Sequence, residues 1–294
     1  MRIAGHTMGT PELTLEEAAA LFKRIGLDAI EIVYQEGYGC GFSGSSKPSE
    51  IAAFKRRLDS LGLAVSCMVP YASDYNQPDA ARREAAMAEA RRCLEAAEAL
   101  GAGFMRIYGG TFLEGEPDFD LKRRILVESM RELGAEAAAR GVTLALENHF
   151  NTMTSGPGIS AEIVREIDRA SVRILYDQAN ITFLSGEDYR KSVALQKGLI
   201  GYVHVKDLVF KDGTAGFKAG SVTHVSEDER AVSSRVPGDG VLPWGKILGE
   251  LRDSGYDGYL SLEYERRWHP ADLPPAEIGM RRGAEHIRRI LAGL

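Results

Sequence analysis

Four short apolar runs in the second half of the chain each end in a side chain able to ligate a divalent metal. They are residues 142–147 (VTLALE), 172–177 (VRILYD), 200–204 (IGYVH) and 259–263 (YLSLE). Three carboxylates, Glu147, Asp177 and Glu263, and one imidazole, His204, would meet at one point if these runs were neighbouring parallel strands. Such a set, mostly oxygen with one nitrogen, suits a hard to borderline ion. Mn²⁺ is the first expectation, with Mg²⁺, Co²⁺ and Zn²⁺ as alternatives. A site of this kind keeps room for a substrate beside the ion.

The elements that must position these groups announce themselves through punctuation. An Ala/Leu/Arg-rich amphipathic stretch, a glycine and a short β-rich run recur along the chain. Gly26, Gly62, Gly101, Gly141, Gly198 and Gly255 each precede a β-rich run, as suits a left-handed residue ending a helix. The phrase occurs once more without its glycine, before residues 172–177. With residues 2–6 as an opening strand, the count is eight strands. Helices are expected over about 14–25, 48–60, 78–100, 118–140, 159–169, 184–197, 243–254 and 275–292, with start signals at Ser49–Glu50, Pro78–Asp79, Pro117–Asp118 and Pro243. Eight strands alternating with helices, with no linker-like break, predict one α/β domain, residues 1–294: a (β/α)8 TIM barrel with a closed parallel eight-stranded sheet.

Strand parity gives a second reading of the same pattern, because alternate side chains face the barrel interior or the helix layer. Thr143, Ala145 and Glu147 share one face, His204 and Lys206 another, and Ser261 and Glu263 a third. The intervening positions are large and apolar, so the candidate ligands point inward. His6 and Tyr108 end the first and fourth strands and are expected as pocket walls. His149 follows Glu147 closely enough to touch substrate or support a ligand, and the ammonium of Lys206 can reach a substrate oxygen.

Composition narrows the classes of function. A chain of 294 residues with 44% hydrophobic content buries a large core. A net charge of −6, with Arg pairs such as Arg56–Arg57, Arg82–Arg83, Arg123–Arg124 and Arg281–Arg282 interspersed with acids, offers no basic stripe for nucleic acid. No apolar stretch is long enough for a membrane span. Cys40, Cys67 and Cys93 are odd in number and widely spaced, which with the absence of a signal-like amino terminus points to free thiols and a cytoplasmic setting. The segment 207–243 exceeds ordinary connections and is expected to cover the pocket or reach a neighbouring subunit of a homo-oligomer. It contains Phe210, Phe217 and His224.

Five motifs, LALEN around Glu147, ILYDQAN around Asp177, GYVHVKD around His204, VPGDGVLPW at 236–244 and YDGYLSLEY around Glu263, resemble those of the xylose-isomerase-like sugar isomerases and epimerases. That family includes ketose 3-epimerases, hydroxypyruvate isomerases and inosose dehydratases. The resemblance implies one divalent ion held by Glu147, Asp177, His204 and Glu263, proton exchange with a small sugar or keto-sugar through Glu147 and Glu263, and contact of Arg235 with substrate hydroxyls. It predicts an isomerase or epimerase that abstracts a proton next to a polarised carbonyl to form an enediolate. The alternative is a lyase or dehydratase on the same barrel, acting on an inosose or a 3-keto-sugar. Asn180 stands where many ketose 3-epimerases carry a substrate-contacting histidine. Residues 151–153 (NTM) replace an expected glutamate, and both departures weaken the ketose 3-epimerase assignment, while Glu147–His149 and His204–Asp207 look more like the branch that holds isomerases and dehydratases acting on oxidised sugars or inositols. A zinc nuclease of similar fold would need further histidines, and a non-catalytic sugar-binding barrel would show metal without turnover.

Overall fold

Helix starts are written in local chemistry. Thr14 accepts from the amide of Glu17 while Glu17 reaches back to the Thr14 amide, a reciprocal cap that opens α1, Leu15–Arg24. Pro48 stands at the first turn of α2, Pro48–Leu61, and the carboxylate of Asp79 accepts two amides at the start of α3, Ala80–Leu100. The remaining helices are α4 (Phe119–Ala139), α5 (Pro157–Ile167), α6 (Gln178–Leu184), α7 (Tyr189–Gln196), α8 (Trp244–Asp253) and α9 (Ala276–Gly293). The computed structural model describes residues 1–211, 221, 222, 225, 226 and 230–294.

All six glycines of the repeated phrase have positive φ, and Asp168 takes the left-handed position (φ 51°) where the glycine is missing. An aspartate tolerates that region better than most side chains. Expected boundaries shift by a few residues. The segment expected as one helix over 184–197 is α6 and α7, separated by Ser185–Asp188 with Gly186 at φ 65°.

The strands are β1 (Arg2–His6), β2 (Ala29–Tyr34), β3 (Gly41–Phe42), β4 (Ala64–Pro70), β5 (Phe104–Ile107), β6 (Thr143–Glu147), β7 (Val172–Tyr176), β8 (Ile200–Val205), β9 (Asp207–Phe210), β10 (Val232–Arg235) and β11 (Tyr259–Leu262). Parallel pairing runs β1, β11, β8, β7, β6, β5, β4, β2, and the contact of β2 with β1 closes the ring. This is the eight-stranded TIM barrel that the sequence predicts. β3 adds a short parallel extension to β2, while β9 and β10 form an antiparallel ribbon within the long segment after β8.

Two cores follow from strand parity. The larger lies between sheet and helices and includes Phe22, Leu58, Leu94, Leu133 and Ile247, all essentially inaccessible; each such side chain contributes about 1.5–3 kcal/mol on burial. Gly5 belongs to this outer face, where a Cβ would stand 2.6 Å from Leu27 Cδ1 and 3.0 Å from the Phe22 ring of α1, so glycine lets both side chains pack this close to β1. The smaller core fills the barrel with Ala4, Ala29, Cys67, Val69, Ala145, Leu175, Tyr202 and Tyr259. Above that apolar floor, the inward positions of the same strands become ionisable.

Arg82 and Arg123 pair with Asp74 and Glu166 on the surface, where ion pairs are worth about 0–1 kcal/mol. Cys40, Cys67 and Cys93 are free and buried. No helix of the described residues is long and apolar enough to cross a membrane.

Candidate metal centre and active site

Glu147 is the last residue of β6, Asp177 follows β7 as the cap of α6, His204 lies near the end of β8, and Glu263 follows β11. All four are buried, and one ligand atom from each lies within 4.8 Å of those of the others. His204 Nδ1 is 3.5 Å from Glu147 Oε1 and 3.3 Å from Glu263 Oε2. These separations are close to the roughly 3.0–3.4 Å between neighbouring ligand atoms that each stand ~2.1 Å from a small divalent ion. His204 Nδ1, Asp177 Oδ2 and Glu263 Oε2 are enclosed yet form no hydrogen bond. Buried polar atoms are ordinarily hydrogen-bonded; these three are met only by ion-pair contacts, from Lys206 to both carboxylate oxygens and between His204 and the carboxylates of Glu147 and Glu263, a set that a cation can take up.

The electrostatics point the same way. Burial and the nearby Glu263 and Glu147 push the Asp177 carboxyl up to about 7, against the pull of Lys206 and His204. Burial alone would discharge His204, but Glu263, Glu31 and Glu147 hold it protonated well above the usual histidine range. Asp177 and His204 are thus held toward their protonated forms, and a bound cation would displace those protons.

Sequence reasoning missed Glu31, which the inward parity of β2 sends to the bottom of this site. Fully buried, it lies 3.1 Å from His204 Nε2, and despite burial the charges of His204 and His6 lower its carboxyl to about 2. A carboxylate accepting from Nε2 fixes the tautomer that leaves Nδ1 free for metal. Glu31→Ala is therefore expected to weaken Mn²⁺ affinity by roughly 10 to 100-fold, read by isothermal titration. Unchanged affinity would show that Glu31 does not orient the ligand.

The other expected site residues divide by location. Tyr108 and His149 line the cavity above the cluster together with Met8, Tyr71, Arg106, Phe150, Val222, Val225, Glu263, Glu265, Trp268 and His269. The Tyr108 and His149 rings are 4.7 Å apart, and burial lowers His149 to about 4, leaving it a neutral imidazole at physiological pH. Lys206 Nζ lies 2.8 Å from Glu263 Oε2, 3.1 Å from Asp177 Oδ2 and 3.3 Å from Glu265 Oε1. Burial opposes its charge, but these carboxylates hold the ammonium well above the usual lysine value. Asn180 donates from Nδ2 to Asn148 O at 2.8 Å and to Glu147 Oε1 at 3.4 Å. His6 is buried beside His204, its ring 5.9 Å away, and its Nδ1 accepts from the Met8 amide.

Arg235 stands apart from the main cavity. It borders a smaller hollow behind Lys206, and its Nη1 donates to Ser234 O. Asp207 shapes the adjoining VPGDG turn by accepting from the amides of Gly238, Gly240, Leu208 and Leu242. From the long segment, Val222 and Val225 reach the cavity and Ser221 O accepts from Asn151 Nδ2. Phe210 is exposed at the end of the ribbon; Phe217 and His224 lie outside the described residues.

Across residues 19–290 the chain matches the profile of the xylose isomerase-like TIM barrel. The chain belongs to that family. Among its relatives is an inosose dehydratase of Erwinia tasmaniensis, 31% identical over 191 residues, a match covering 62% of this chain and 60% of the relative. This chain thus spans about three fifths of that relative's length. An inosose dehydratase of Histophilus somni is 27% identical over 258 residues, covering 84% of each. The crystal structure of 3-keto-D-glucoside 4-epimerase from E. coli, in its apo form, shares the fold with a TM-score of 0.75 at 20% identity, covering 98% of this chain and 99% of that one. The sequence relatives named here are thus inosose dehydratases, and the 3-keto-D-glucoside 4-epimerase shares the fold.

Proposed function

We propose that this protein is a divalent-metal-dependent lyase that removes water from a small polyhydroxylated ketone of the inosose class. The observation that carries the reading is a buried Glu/Asp/His/Glu cluster in which a charged ammonium, Lys206, bridges Asp177 and Glu263. Similarity to inosose dehydratases supports this reading over the isomerase that the motifs first suggest. Glu147, Asp177, His204 and Glu263 would hold a divalent ion, which would supply positive charge that acidifies a C–H beside a ketone.

The chain's own groups account for the proton movements. A carboxylate of the Glu147 and Glu263 pair takes the proton from the carbon beside the ketone. Lys206 gives a proton to the hydroxyl on the next carbon, the C–O bond breaks, and water departs. The resulting enol becomes a diketone by tautomerisation. Neutral His149 and Tyr108 form the wall against which the ring is held, and His6 and Asn180 keep His204 and Glu147 in place. Val222, Val225, Phe150 and Trp268 exclude bulk water, which strengthens every charge interaction inside.

A second reading remains attached to one observation. Glu147 and Glu263 both approach His204 Nδ1, so two carboxylates border one point, as epimerisation through two bases requires. The readings share their first step and differ in the fate of the hydroxyl. Incubating the Mn²⁺-loaded protein with an inosose in D₂O and following mass separates them. Loss of one water is expected; deuterium incorporation with the hydroxyl retained would reject the lyase.

A further inference from the structure

Arg106, on β5, places its guanidinium at the barrel mouth with 3% of the residue exposed. Its carbon Cζ lies 3.9 Å from the Tyr108 ring centroid and 4.9 Å from that of Tyr71, so the two rings fix the guanidinium plane. Glu147 Oε2 is 3.6 Å from Nε, too long for a hydrogen bond. Neither Nε nor Nη1 has a hydrogen-bond partner, although both are enclosed. A guanidinium cannot shed its charge to relieve this, and a buried charged donor without a hydrogen-bond acceptor is costly. The residue also lines the cavity that displays Glu263, Tyr108 and His149.

We propose that Arg106 is a substrate-binding residue whose guanidinium, with N–H donors at Nε and Nη1 that the protein leaves without acceptors, donates to a substrate oxygen that is negatively charged or becomes so as the reaction proceeds. The positive charge favours an oxygen anion over a neutral hydroxyl, because charge-assisted bonds to arginine are the stronger class. On the lyase reading, that oxygen belongs to the keto-polyol; the affinity for an oxygen anion does not depend on that reading. Arg106 thus supplies positive charge from the β5 side while the ligand cluster lies on β6, β7, β8 and β11.

Two measurements test the proposal separately. In the first, Mn²⁺-loaded Arg106→Lys and Arg106→Ala are assayed with an inosose. The alanine variant is expected to lose roughly 100-fold or more in kcat/KM, methylguanidinium to restore part of it, and the lysine variant to fall between. In the second, the ¹⁵N-labelled Mg²⁺-loaded protein is titrated with acetate, and the Arg106 Nε–H resonance, assigned by its disappearance in Arg106→Lys, is expected to shift to saturation. Wild-type kcat/KM in Arg106→Ala, loss without methylguanidinium rescue, or an Nε–H resonance unmoved by acetate would each overturn the assignment. Absence of inosose turnover by the wild-type protein would count against the lyase reading instead, and the acetate titration would still decide the role of Arg106.

Discussion

Glu263→Gln and Glu147→Gln are each expected to lower turnover by ~10³-fold or more and to abolish solvent-deuterium exchange into the substrate, while the barrel keeps its fold. Glutamine preserves the volume and one ligating oxygen but cannot accept a proton. The two positions differ in setting. Glu263 lines the cavity, and its carboxyl is held well below the ordinary value because His204 and Lys206 outweigh the penalty of burial. Glu147 is deeper; burial opposes its ionisation, yet His149, His204 and Arg106 keep its carboxyl below the ordinary value. Both are therefore ionised bases at neutral pH. Exchange is best measured at saturating Mn²⁺, so that weakened binding of the ion does not pass for lost chemistry. Undiminished exchange in either variant would remove that glutamate from the proton path.

Lys206→Met is expected to part the two halves of the reaction. Its ammonium lies among Asp177, Glu263 and Glu265 and is charged at any physiological pH. Removing it takes away the proton donor for the departing hydroxyl but leaves both carboxylate bases, so water loss should fall by ~10²–10³-fold while α-hydrogen exchange continues. It also removes a positive charge from beside two metal ligands, so Mn²⁺ should bind at least as tightly as before. Exchange and elimination falling together would place Lys206 in the first step instead.

Much of this site is legible in the sequence because parallel strands end where the polarity of their inward positions changes. Thr143, Ala145 and Glu147 show the transition within five residues, and β8 shows it from Tyr202 to His204 and Lys206. The glycine punctuation fixes the strand count for a backbone reason, the left-handed φ, that Asp168 can also meet. Glu31 and Arg106 obey the same parity, but each lies within an otherwise apolar strand and not at a motif, so nothing nearby advertises a partner. A charged residue at an inward position of a barrel strand is the signal that would have found both. Arg235 illustrates the opposite limit. Its closeness in sequence to the VPGDG turn does not determine the direction of its side chain, and the ribbon turns it toward Ser234 and away from the main cavity. The choice between elimination and epimerisation is hidden for a chemical reason: both begin with the same proton and the same carboxylates.

The central claim is joint coordination, and the most direct measurement is a crystal structure of the Mn²⁺-soaked protein with anomalous diffraction collected at the manganese edge. The account predicts one strong anomalous peak bonded to Glu147, Asp177, His204 and Glu263. A peak elsewhere, or none at saturating Mn²⁺ with Lys206 still bridging Asp177 and Glu263, would contradict it.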